Sequence, residues 1–136
     1  MQLGTFGAIL TFAIGLERRA AEFYEQAAQG GTDTLFRDLG RGARKRLERL
    51  EQARREGVSE MILESITGLD SDAYRVDLDL RADRVDQLRQ AQNMEETAAR
   101  FYLAAAAKLP IREVARLFQR LAQESQQRKA RLSASG

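Results

Sequence analysis

The chain contains no cysteine and no histidine in 136 residues. The first absence excludes disulfides and thiolate metal sites. The second removes imidazole, both as a metal ligand and as the usual general base near neutral pH. Proline occurs once, at Pro110, and β-branched runs are almost lacking. No block of one charge sign stands out: 22 Lys and Arg are interspersed with 20 Asp and Glu, for a net charge of +2. A nucleic-acid partner is therefore not expected. The most apolar stretch, Leu3 to Leu16, is too short to span a bilayer and lacks a basic leader and a cleavage site. It reads as the first turns of a helix, and a cytoplasmic protein is expected.

What remains is rich in Ala, Leu, Glu, Arg and Gln, which favour helices. Hydrophobic residues make up 43%, enough to build a core in a single domain spanning residues 1–136. Apolar residues recur at helical spacing in four stretches. Helix 1 is predicted from about Thr5 to Gln29, with Phe6, Leu10, Ala13, Ala20, Tyr24 and Ala27 inward, ending at Gly30 and Gly31. Helix 2 starts at Thr32 or Asp33, either able to cap it, and ends near Glu56. Helix 3 is predicted from about Arg81 to Lys108, with Val85, Leu88, Ala91, Ala98, Tyr102 and Ala105 on one face. Helix 4 follows Pro110 and carries Val114, Leu117, Leu121 and Leu132. Residues 57–80 form a connection holding a short helix, Glu60 to Thr67, with Met61, Ile62 and Ile66 inward. Two helical hairpins joined by a long connection make an all-α four-helix bundle with one crossover.

The hairpins repeat each other. Ala13, Glu17, Ala20, Phe23 and Tyr24 have the spacing of Ala91, Glu95, Ala98, Phe101 and Tyr102. Phe36, Leu39, Arg46 and Leu50 likewise match Phe118, Leu121, Arg128 and Leu132. A duplicated hairpin with pseudo-twofold symmetry is predicted. Each stripe also carries one charge at its centre: Glu17, Arg46, Glu95 and Arg128. Buried charges need partners, so Glu17 is expected to pair with Arg46 and Glu95 with Arg128, or the reverse. Projection onto helices leaves both pairings open. Tyr24 and Tyr102 are expected in the core with their hydroxyls on polar partners.

The repeated pattern Ala-x3-Glu-x2-Ala-x2-Phe-Tyr, followed after a turn by Phe-x2-Leu, resembles the signature of the rubrerythrin-like branch of the ferritin-like proteins. The resemblance covers nearly the whole chain outside the middle connection. It implies a ferritin-like bundle in which a Glu from two helices and a Glu-x-x-His from each of the other two hold a di-iron centre. Glu17 and Glu95 stand at the single-Glu positions. Ala43 and Arg46 occupy the first Glu-x-x-His, and Ser125 and Arg128 the second. Glu124 is one residue out of register, about 100° around the helix.

On this resemblance the expected protein is a non-catalytic bundle that has lost its di-iron site. It would use no cofactor, form a homodimer through helix faces, and bind a protein or a small ligand. The alternative is an iron-binding oxidoreductase of peroxidase or ferroxidase type, with a carboxylate-only site of Glu17, Glu95, Glu124 and Glu48. Nucleophilic catalysis has no support, since Ser125 has no base beyond a carboxylate or Lys129. Ile9, Phe12 and Leu16 form a further apolar patch that serves either as core or as a dimer face, and a third reading uses this end of helix 1 on a membrane surface. Arg41, Arg44, Lys45 and Arg49 are expected on a solvated face of helix 2 with partners such as Glu48. Gly40 and Gly42, within the same helix, admit close approach of a neighbour.

Overall fold

The computed structural model describes residues 1–28, 33–57 and 65–135. Its α-helices are α1 (Phe6–Ala27), α2 (Thr34–Gly57), α3 (Arg84–Ala106) and α4 (Arg112–Ser135). Their starts follow local chemistry. Thr5 accepts a hydrogen bond from the Ala8 amide, Asp33 from Phe36 and Asp83 from Asp86, so each satisfies an amide the helix leaves free. Of the two residues expected to cap α2, Asp33 makes this contact, and Thr32 lies outside the described residues. Asp83 likewise explains why α3 begins three residues later than the periodicity suggests.

Cross-links between helices define the topology. Arg18–Glu51 (3.7 Å) and Arg44–Glu25 (2.8 Å) run in opposite residue order, so α1 and α2 are antiparallel. Asp38–Arg131 (3.5 Å) and Arg49–Glu124 (3.6 Å) show the same for α2 and α4. The pairs Tyr24–Glu95 and Tyr102–Glu17 show it for α1 and α3. Helices α2 and α3 therefore run in the same direction. A short turn cannot join them, and the connection between Gly57 and Arg84 must travel the length of the bundle.

The described end of that connection differs from expectation. Much of the short helix expected at 60–67, with Met61 and Ile62, lies outside the described residues; 65–67 are not helical. Instead, the Ile66 amide donates to the Gly4 carbonyl (2.9 Å) and the Leu3 amide to Leu69 (2.8 Å). Leu3 thus belongs to an extended segment paired with the crossover rather than to the first turn of α1. A 3-10 turn, Ser71–Tyr74, follows within the connection. It seats the Tyr74 ring edge-on to Phe101 at 5.4 Å.

The core lies in two apolar clusters. One holds Phe6, Ile9, Leu10, Leu50, Phe101, Phe118 and their neighbours. The other gathers Phe23, Phe36, Leu39, Leu88, Met94 and Leu132 among others. Ile9 and Leu16 are core residues, and Phe12 packs on Phe101 at 4.8 Å, so the patch at the start of α1 faces inward. Val85 does not: it is 73% exposed. It lies ten residues before Glu95, about 80° around α3 from the centre of the buried stripe.

Where α1 and α2 come closest, a β-carbon on Gly40 would stand 3.3 Å from Glu25 Cγ. At the end of α2 the fit is tighter. A β-carbon on Gly57 would fall 2.4 Å and 2.6 Å from ring atoms of the buried Phe6. Gly57→Ala is expected to displace that ring and lower stability by about 1–3 kcal/mol, the usual range for overpacking. Urea unfolding followed by far-UV circular dichroism measures it.

Candidate functional site

Between the clusters lies a layer of charge. Glu17 on α1, Glu95 on α3 and Arg46 on α2 are 3%, 2% and 4% exposed, and Arg128 on α4 is half-buried. Helical period alone puts them there, because each replaces one apolar residue in a stripe that faces the bundle axis.

The ion pairs form within hairpins. Arg46 Nε donates to Glu17 Oε1 at 2.9 Å. Arg128 binds Glu95 through two donors, Nε to Oε2 at 3.1 Å and Nη2 to Oε1 at 3.0 Å. This decides between the two pairings that projection left open. The hairpins are then tied together by the tyrosines. Tyr24 on α1 donates to Glu95 Oε2 and Tyr102 on α3 to Glu17 Oε2, each at 2.6 Å. The spacing carries a signal for this contact. Each tyrosine stands seven residues after a glutamate on its own face, and α1 and α3 are antiparallel, so each tyrosine meets the other helix's glutamate.

Electrostatics follow from this geometry. Burial pushes both tyrosine hydroxyls well above their ordinary pKa of 10, and the facing carboxylates push in the same direction. Both stay protonated donors. Burial works against the charge on Arg128, but the charge and hydrogen bonds of Glu95 outweigh it and raise its pKa. Two carboxylates and two guanidiniums leave the layer neutral.

The carboxylate-only arrangement of Glu17, Glu95, Glu124 and Glu48 does not form. Glu48 is exposed, and Glu124 is half-buried and directed to Arg49 at 3.6 Å. The basic face of α2 is also organised differently from expectation. Arg41 pairs with Asp38 within α2, whereas Arg44 binds Glu25 on α1 and Arg49 meets Glu124 on α4.

The donors present do not fit a di-iron centre. Glu17 accepts from Arg46 on one oxygen and from Tyr102 on the other, while Glu95 Oε2 accepts from both Arg128 and Tyr24 and its Oε1 lies 3.0 Å from Arg128 Nη2. Ala43 offers a methyl group and Ser125 a hydroxyl where carboxylates are needed, and two fixed cations oppose a third charge of the same sign. Among the described residues no group of three or more Asp or Glu is arranged to hold a metal ion. No helix among them is long and apolar enough to cross a membrane.

Outside the layer, a groove of about 550 Å³ opens between α2 and α4. Ala53, Val114 and Leu117 form its apolar side, with Arg49 and Arg120 beside them.

Four helices in this direction order, one long crossover and a polar layer at mid-bundle define a ferritin-like architecture. The chain belongs to the ferritin-like family: the family model described as a ferritin-like domain matches residues 7–131. No curated protein and no solved structure matches the chain.

Proposed function

We propose that this is a ferritin-like protein of the rubrerythrin-like branch whose di-iron site has been replaced by an internal salt-bridge layer. It acts without catalysis, by binding a protein or a small ligand at its outer surface. The observation that carries this reading is the pairing of Glu17 and Glu95, each held by one arginine of its own hairpin and one tyrosine of the other. In such an arrangement the two guanidiniums supply the positive charge that two metal ions would otherwise bring between carboxylates. The layer then acts as a brace, fixing helix register rather than hosting a reaction.

With its interior committed in this way, binding falls to the helix faces and to the groove between α2 and α4, whose volume lies in the range of small-ligand sites. Self-association as a homodimer belongs to the same proposal. Val85 and Leu103, 73% and 50% exposed, lie on one side of α3, five turns apart. Sedimentation equilibrium reads the oligomeric state, and a cytoplasmic location is part of the proposal.

The deciding measurement is metal content by elemental analysis of protein purified without an affinity tag and then incubated anaerobically with ferrous iron. The expected result is iron at background in both conditions. About two irons per chain or per dimer would overturn the proposal and make Glu17 and Glu95 ligands.

A further inference from the structure

The two halves of the charged layer correspond residue for residue, with one departure. On α4, Arg128 Nη2 donates to Ser125 Oγ at 2.9 Å as well as to Glu95. The equivalent of Ser125 on α2 is Ala43, which is fully buried and has no oxygen to offer. Arg46 accordingly holds Glu17 by Nε alone, and its Nη2 is buried with no hydrogen-bond partner among the described residues. Buried donors without an acceptor are rare in folded proteins, and internal water commonly satisfies them.

We propose that one water molecule is built into the bundle beside Arg46, accepting from Nη2 and donating to Glu17. Three observations favour this ligand. Charge selects a neutral molecule: the layer already balances two carboxylates against two guanidiniums, and both tyrosines stay protonated. An anion or a cation would add an uncompensated buried charge. Glu17 has capacity to spare, because each of its oxygens accepts one hydrogen bond and a carboxylate oxygen has two lone pairs. A water bridge would give the Arg46–Glu17 pair the second link that Arg128–Glu95 makes directly. Volume favours it too. Ala43 is one oxygen smaller than Ser125, so the space that the Ser125 hydroxyl fills beside Arg128 holds no side-chain oxygen beside Arg46.

The test compares the wild-type protein with Ala43→Ser and Ser125→Ala by magnetic relaxation dispersion of water oxygen-17, which counts long-lived internal waters. Ala43→Ser is expected to lower the count by one, since the new hydroxyl takes over the contact with Nη2. It should also raise the melting temperature by up to about 4 °C, because the hydroxyl replaces the water's hydrogen bond and the released water regains its freedom. Ser125→Ala should raise the count by one. A wild type without a long-lived water, or a count unchanged in Ala43→Ser, would overturn the proposal. So would a wild-type melting temperature that rises with chloride or formate while that of Ala43→Ser does not, because the occupant would then be an anion. The water count is read without metal, so failure here is distinguishable from failure of the metal-free reading.

Discussion

Replacing Glu17 by alanine is expected to lower folding stability by about 3–5 kcal/mol, the range for removing one partner of a buried ion pair. The melting temperature should fall by roughly 10–20 °C. The size of the effect comes from what remains. Arg46 is 4% exposed and keeps its positive charge, and its Nη2 has no acceptor among the described residues. The fully buried Tyr102 loses the carboxylate to which its hydroxyl donates. Glu95→Ala should be milder. The Arg128 side chain is 12% exposed and retains Ser125, so its guanidinium can turn toward water. Guanidinium chloride unfolding of both variants measures the difference.

A companion variant separates the loss of the pair from its net worth. Glu17→Leu, Arg46→Met and Tyr102→Phe together remove every polar atom of that half-layer. This triple variant is expected to recover most of the stability lost in Glu17→Ala, because apolar replacement of a buried ion pair is often neutral or stabilising. A triple variant as unstable as the single one would show that the layer contributes more than the absence of a penalty.

Alkaline pH should unfold the protein steeply. Tyr24 and Tyr102 have folded-state pKa values raised well above 10 by burial first and by the facing glutamates second. In the unfolded chain they titrate near 10. Above that pH the unfolded state loses two protons that the folded state keeps, so stability falls as pH rises. Below about pH 10 the contribution of these groups is fully present. Each raised tyrosine then removes about 1.4 kcal/mol per pH unit, or about 2.7 kcal/mol for the pair, up to the folded-state pKa. Tyr24→Phe with Tyr102→Phe should flatten this slope while costing about 1.5–3 kcal/mol per lost hydrogen bond to a carboxylate at neutral pH. Unfolding curves between pH 8 and pH 11 test both statements; an unchanged slope in the double variant would assign alkaline unfolding to other groups.

The helices and the charged layer were legible in one dimension because both depend on period. Apolar residues every three or four positions identify α1 to α4, and Glu17, Arg46, Glu95 and Arg128 fall at the centres of those stripes by the same count. Burial of the four charges followed from position alone. Projection proved weaker at the edges: Val85 lies near the stripe but far enough around α3 to face solvent. Leu3 reads as helical by hydropathy, yet its amide pairs with the crossover. Such pairing depends on a distant segment and leaves no periodic trace.

Which glutamate meets which arginine required three dimensions, because helical period gives the angle around an axis and says nothing of the distance between axes. The packed bundle placed each arginine on the glutamate of its own hairpin and each tyrosine on the glutamate of the other. Glu48 and Glu124 show the same limit from the other side. They lie on the right helices for a carboxylate site, but the rotation of α2 and α4 about their axes directs them outward. Residue order alone set the helices, their repeat and the types of charge within them. The partnerships among those charges, and the Arg46 nitrogen left without a partner among the described residues, arise only where four helices meet at fixed rotation and separation.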